Sequence, residues 1–356
     1  MTGRVGATGD RPVTGGRAAD AKGRETTVRT ANGRTAGGRT AGGRTRTDGS
    51  RGRAVAAVTL LTAAAGLLGA GSPQGAVLPA ATGAVQAPPQ APPAADPNCD
   101  VTRSVPASRQ DGPAVKAVKD NRTLIIGVDQ NSYRFGARNP STGEIEGFDI
   151  DLAKAIGTAV MGDPARITFK AVPTAERIAF LQEGKVDMIV RTMTITCERM
   201  EQVAFSKPYF KTSNRLLVPK AAGVRTFDEA LKGRTACAAR SSSAEDELKA
   251  NPRGSTLVSV ENQLDCLVLM QLGKVDATMT DDGLAAGQAA QDTTITMLDE
   301  RVRPGYMGVA MKLGNDDLVA RVNQVLADYQ ADGAWAASYD KWLKPTMHDD
   351  AERFRP

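Results

Sequence analysis

A chain of 356 residues with 41% hydrophobic side chains is long enough to bury the cores of two domains. Its net charge of +5 is unevenly placed: residues 1–53 hold twelve basic and four acidic side chains, which leaves 33 basic and 36 acidic in the rest. That slightly acidic body and a 4% aromatic content argue against a nucleic-acid partner. The single histidine, His348, leaves little basis for a hydrolase triad or a His-rich metal site.

Residues 1–53 are rich in Gly, Thr and Arg, contain the near-repeat TAGGRTAGGRT and lack hydrophobic periodicity. They are expected to be disordered, or to follow from a translation start assigned upstream of the true one. Residues 54–70 (AVAAVTLLTAAAGLLGA) form an apolar run behind Arg51 and Arg53, so residues 54–71 are read as a signal peptide or an anchor. Residues 72–98 hold seven of the nineteen prolines and are expected to be an extended linker.

Folded sequence is expected from Cys99. Residues 123–128 (TLIIGV) predict a buried strand with Asp129 past its end, 139–147 a turn-rich hairpin, and 148–160 a helix. A strand at 167–172 and a helix at 175–182 follow. Residues 181–199 (LQEGKVDMIVRTMTITCER) then have an echo 89 positions on, in MQLGKVDATMTD at 270–281. Each copy ends a helical pattern, turns on Gly-Lys and enters a strand at Val-Asp. Each strand delivers polar residues at its carboxyl end: Arg191 and Thr192 in one, Thr280 and Asp281 in the other. Open α/β sheets bind ligands at that end, so two similar lobes with a shared cleft are expected.

The second series comprises strands at 216–218, 235–239, 257–260 and 275–280, with helices at 226–231, 244–249 and 262–272. A late strand at 306–311 and helices at 316–329 and 334–342 end the chain. Strands alternating with helices predict α/β.

Four cysteines follow the leader. An even count in an exported chain suggests two disulfides, for which three connectivities exist. Cys237 and Cys266 share the second series and are paired on that ground, leaving Cys99 with Cys197. A zinc site is the rival reading, and it lacks CxxC spacing and histidine ligands. No metal, cofactor or catalytic residue is expected.

The segments GFDIDLAKAI (147–156), RTMTITCERMEQVAFSKPYF (191–210) and GKVDATMTDD (273–282) resemble the polar amino-acid-binding proteins, family 3 of the extracellular solute-binding proteins. The actinobacterial glutamine/glutamate-binding, sensor-type members are the most similar subgroup. The resemblance covers about residues 118–345. It implies a type II periplasmic-binding-protein fold, α/β with two Rossmann-like lobes joined by a two-segment hinge. Lobe one is then 118–213 plus 307–345 and lobe two 214–306. Residues 99–117 form a segment stapled to lobe one, and 346–356 form a tail. It further implies an exported, monomeric receptor that presents an amino acid to an ABC transporter permease, or to a membrane sensor linked to Ser/Thr kinase signalling. Members of the subgroup are usually lipoproteins; here Gly71 stands where the acylated cysteine would be. An enzyme on the same fold, of the cyclohexadienyl dehydratase type, is the alternative.

By the same resemblance Arg199 meets the ligand α-carboxylate, Thr194 adds a hydroxyl and an amide, and Thr192 a backbone contact. Asp281 receives the ammonium, with Asp282 able to share that task. Ser242 and Ser243 open a helix after the 235–239 strand, where an anion is favoured. Arg191 stands where glutamine binders often carry a small apolar residue. A cation there favours a second carboxylate, hence glutamate or aspartate over glutamine or asparagine; an inter-lobe salt bridge is the structural alternative. Asp129 is expected to hold the ammonium or to offset Arg191, and Tyr133 and Phe135 to wall the pocket.

Overall fold

The structure is a computed structural model that describes residues 98–356, so the leader, signal and linker readings lie outside the described residues. The helices are α1 Pro113–Asp120, α2 Phe148–Met161, α3 Arg177–Gln182, α4 Cys197–Met200, α5 Phe227–Leu231, α6 Ser243–Ala250, α7 Gln263–Gln271, α8 Asp282–Gln291, α9 Asp316–Ala331, α10 Ala334–Trp342 and α11 Lys344–Met347. Three short strands, β2 Asn131–Ser132, β3 Gly136–Arg138 and β4 Ile145–Glu146, form a small antiparallel sheet between β1 Leu124–Val128 and α2.

The first main sheet has the order β5-β1-β6-β14-β7, with β5 Ile167–Ala171, β6 Met188–Ile189, β7 Ala204–Phe205 and β14 Ala310–Met311. The second has the order β10-β9-β11-β8-β12, with β8 Phe210–Pro219, β9 Thr235–Ala239, β10 Thr256–Val260, β11 Ala277–Asp281 and β12 Ile295–Met297; β13 Val302–Met307 also pairs with β8. Parallel strands β5, β1 and β6 and their counterparts β10, β9 and β11 carry each sheet, while β14 pairs antiparallel with β6 and β8 with β11. Each sheet has its own apolar core. Val128, Ile156, Phe210 and Trp335 belong to the first, and Leu216, Phe227, Leu248 and Met279 to the second.

The sequence echo is a structural repeat. Gly184 and Gly273 both take the left-handed conformation that ends the preceding helix, at φ +67° and +64°. Asp187 and Asp276 then make the same two bonds to the neighbouring strand. Asp187 Oδ2 accepts from Ile125 N at 2.7 Å and Asp276 Oδ2 from Thr235 N at 2.8 Å. Their own amides donate to the carbonyls of those residues at 2.9 and 2.8 Å. The Val-Asp pair therefore sets the register of β6 against β1 and of β11 against β9.

The strand expected at 306–311 is two strands. β13 ends at Met307, opposite Phe210 in the second sheet, and β14 starts at Ala310, opposite Phe205 in the first. Between them Gly308 passes so close to Ile195 that a Cβ would lie 2.8 Å from its Cδ1. The helix that carries Arg199 is only the four residues of α4. Helix α1 was not anticipated, although Pro113 behind Gly112 marks its start and Val115 and Val118 bury its inner face. The disulfides join Cys99 to Cys197 and Cys237 to Cys266.

Gly147, before α2, has φ +140°, and a Cβ there would lie 2.3 Å from the Phe135 carbonyl oxygen. Only glycine is at ease in that conformation. Gly147→Ala is expected to cost at least about 2 kcal/mol of stability by chemical denaturation; an unchanged midpoint would contradict this packing.

Candidate ligand-binding site

The polar residues at the carboxyl ends of β6 and β11 meet between the lobes. From lobe one, Arg177, Arg191, Thr192, Thr194 and Arg199 line the cavity; from lobe two, Ser242, Ser243, Thr280 and Asp281 do. The cavity measures about 20 Å³, little more than one water molecule, so the lobes are shut. Direct bonds hold them together. Arg177 Nη2 and Arg199 Nη2 each donate to the Ser241 carbonyl at 3.0 Å, and Gln263 Nε2 donates to Ser132 Oγ at 3.1 Å.

The loop after β6 is held in an unusual backbone conformation. Thr192 has φ +42°, and its amide donates to Asp149 Oδ2 at 2.8 Å. Asp149 also accepts from the Tyr209 hydroxyl at 3.0 Å, and burial pushes its carboxyl up to about 7. Further along, Ile195 N donates to Tyr306 O at 2.8 Å, tying the loop to β13. Thr194 Oγ1 contacts Ser243 Oγ across the cleft at 3.4 Å.

Arg199 lies on α4 and is 6% exposed, so a solvated surface charge does not describe it. Its Nη1 donates to the Thr194 carbonyl at 2.7 Å. The Cys99–Cys197 disulfide fixes the start of the same helix. Burial lowers the Arg199 guanidinium from its ordinary value, and burial with the Arg199 and Arg191 charges lowers Arg177 further. A guanidinium remains a cation under such shifts, so the site holds cations it would release to solvent at a gain unless anions met them.

Arg191 is 2% exposed, and its Nη2 lies 3.1 Å from Asp129 Oδ2. Both residues belong to lobe one, so this pair does not bridge the lobes. Arg191 lines the cavity, and its buried Nε makes no hydrogen bond among the described residues. Asp129 stands behind Arg191 rather than on the cavity. Its oxygens accept from Gln130 N at 2.8 Å, Asn131 N at 3.0 Å and Ser132 Oγ at 2.5 Å. That leaves it placed to offset Arg191 rather than to receive an ammonium.

Asp281 and Asp282 divide their surroundings. Asp281 Oδ1 accepts from Thr212 Oγ1 and Asn214 Nδ2, both at 3.2 Å, and faces the cavity. Asp282 also bonds to β8, accepting from Thr212 Oγ1 at 3.0 Å and Ser213 Oγ at 3.1 Å, and does not line the cavity. Burial and the adjacent Asp282 raise the Asp281 carboxyl to about 7, while Thr212, Arg177 and Arg199 pull it down. Ser242 caps α6, its Oγ accepting from Glu245 N at 3.1 Å, and Ser243 Oγ accepts from Asn214 Nδ2 at 3.2 Å.

Two expected wall residues are elsewhere. Tyr133 is 37% exposed, with its ring against the Arg134 guanidinium, and Phe135 is enclosed in the aromatic core beside Phe148 and Phe210. The residue that sequence reasoning missed is Arg177. It opens a short helix two residues after Ala175, and its role depends on a carbonyl 64 residues away.

A carboxyl with a folded-state pKa above its unfolded value holds its proton more tightly when folded. It favours folding below the unfolded value, 3.8 for Asp281, and that advantage is lost as pH rises through about 7. Asp281→Asn is therefore expected to raise the Tm of the ligand-free protein by roughly 5 °C at pH 8 and to change little near pH 4. A lower or unchanged Tm at pH 8 would contradict the assignment of a strained buried carboxylate.

Known proteins carry the same architecture. The chain is 34% identical over 228 residues to the ABC transporter glutamine-binding protein GlnH of Bacillus subtilis, covering 64% of this chain and 84% of that protein. It is 25% identical over 263 residues to the glutamate-binding protein GluB of Corynebacterium efficiens, covering 71% and 88%. Its structure matches a crystal structure of the solute receptors for L-cysteine of Neisseria gonorrhoeae with a TM-score of 0.65 and 25% identity, over 68% of this chain and 99% of that one. The fold is the type II periplasmic-binding-protein fold. Residues 124–345 match the profile of the bacterial extracellular solute-binding proteins, family 3. The chain belongs to that family.

Proposed function

We propose that the protein is an exported receptor that captures an acidic amino acid, L-glutamate or L-aspartate, between its lobes and releases it unchanged. The observation that carries this reading is the charge balance of the cleft. Arg177, Arg191 and Arg199 face Asp281, with Asp129 behind Arg191. With both aspartates ionised the group has one excess positive charge. A dicarboxylic amino acid brings one excess negative charge; glutamine or asparagine brings none.

In this reading Arg199, Thr194, the Thr192 backbone and the Ser243 amide hold the α-carboxylate. Asp281 receives the ammonium, losing its proton as it does so. Arg191 and Arg177 hold the side-chain carboxylate, where a guanidinium fork offers paired donors that Lys lacks. Ser242 lines the cavity beside them while its Oγ caps α6. The lobes hinge on β8 and β13, and closure delivers the ligand to an ABC permease or to a membrane sensor on the outer face of the cytoplasmic membrane or the cell wall. Among the described residues no helix is long and apolar enough to cross a membrane.

Calorimetric titration of the intact chain with glutamate, aspartate, glutamine and asparagine tests this. The acidic pair is expected to bind more tightly than the amides. Arg199→Ala is expected to weaken every ligand by roughly 30-fold to a few thousand-fold, the cost of truncating one partner of a buried charged contact. Arg177→Gln is expected to weaken glutamate at least about tenfold more than glutamine. The ratio isolates the side-chain contact, because any effect on lobe closure is common to both ligands. Unchanged binding in Arg199→Ala would overturn the site, and an unchanged ratio in Arg177→Gln would overturn the acidic preference.

A further inference from the structure

Ser241 lies at the boundary between the inner cavity and a wider vestibule of about 450 Å³ at the cleft mouth. Its carbonyl is the shared acceptor for Arg177 and Arg199, two buried cations of the opposite lobe, each at 3.0 Å. The carbonyl points there because Ser241 adopts φ +56°, a left-handed conformation that a serine does not adopt at ease. Two bonds hold this turn: the Ser242 amide, in the same peptide group as the Ser241 carbonyl, donates to the Ala239 carbonyl at 3.2 Å, and the Ser241 amide on the other side of the strained φ donates to Glu245 Oε2 at 2.8 Å.

Glu245 is a buried carboxylate, 4% exposed, on the first turn of α6. Ser259 Oγ donates to its Oε1 at 2.6 Å, and Lys249 Nζ lies 3.0 Å from its Oε2. It contributes nothing to the inner cavity. Its neighbour Asp246 faces the mouth, 4.0 Å from Arg199 and 3.9 Å from Arg303. The chain of contacts is then continuous: Glu245 fixes the Ser241 peptide, the Ser241 carbonyl draws two arginines together, and the arginines bring lobe one onto lobe two.

We propose that Glu245 is a positioning residue for closure: by anchoring the strained Ser241 peptide it aims the carbonyl that latches Arg177 and Arg199, and so sets how long the shut lobes retain their ligand. The ligand identity rests on the reading above; the latch does not. Its removal opens the cleft whatever the cleft binds.

The test compares Glu245→Ala with Ser259→Ala in the intact chain. Ser259→Ala removes a bond to the same carboxylate and leaves the Ser241 contact in place, so it reports the purely structural cost. Two quantities are read: the radius of gyration of the ligand-free protein by small-angle scattering, and the dissociation rate of L-glutamate by stopped flow. Glu245→Ala is expected to shift the ligand-free protein toward the open form and to raise the dissociation rate about tenfold or more, with Ser259→Ala near wild type in both. Glu245→Gln, which keeps an acceptor oxygen, is expected to fall between them and serves if Glu245→Ala does not fold. Wild-type scattering and dissociation in Glu245→Ala, or equal shifts in both alanine variants, would overturn the proposal. If L-glutamate does not bind the wild-type protein, the function reading fails, and the scattering comparison alone decides the latch.

Discussion

Three guanidinium groups and one carboxylate line a small cavity between the lobes. Arg177, Arg191, Arg199 and Asp281 are all buried, and each would be more comfortable in water. The fold supplies what offsets that cost. Asp129 stands behind Arg191, the Thr194 and Ser241 carbonyls accept from Arg199, and Thr212 and Asn214 donate to Asp281. These partners come from two sheets, so the arrangement exists in full only when the lobes meet. In the proposed reading, an anion that neutralises the cleft also favours its closed form.

The backbone carries the same coupling. The loop bearing Thr192 and Thr194 is tied to α2 through Asp149 and to the crossover strand β13 through Tyr306. Asp282 reaches the other crossover strand through Ser213. A change at the cavity is therefore transmitted directly to both segments that join the lobes. The Cys99–Cys197 disulfide adds a third attachment, joining the segment that leads into the folded body to the helix of Arg199.

Much of this was legible in the sequence because it is local. The Gly-Lys-Val-Asp repeat announces two equivalent strand ends, and Arg191, Thr192, Thr194 and Arg199 lie within nine residues of one another behind the first. Their convergence follows from a single loop. Asp281 was legible for the same reason, through the second copy. What escaped was non-local. Nothing near Arg177 distinguishes it from a surface arginine on a helix, since its partner lies in the other lobe. The separate surroundings of Asp281, which ends β11, and Asp282, which opens α8, depend on the residues that β8 brings beside them. Tyr133 and Phe135 lie away from the pocket because the turn between β2 and β3 leaves the first exposed and sends the second into the aromatic core. The late strand was read as continuous because its apolar pattern persists through a point where the chain changes lobes.

We propose that Asp281 exchanges a proton for the ammonium of the amino acid it receives. The most direct measurement is the enthalpy of L-glutamate binding at pH 7 in buffers of different ionisation enthalpy, which counts protons released. With the Asp281 carboxyl near 7 in the unoccupied cleft, the account predicts release of about half a proton per ligand bound, diminishing by pH 8.5. Binding with no proton released at pH 7, or with a proton taken up, would contradict it.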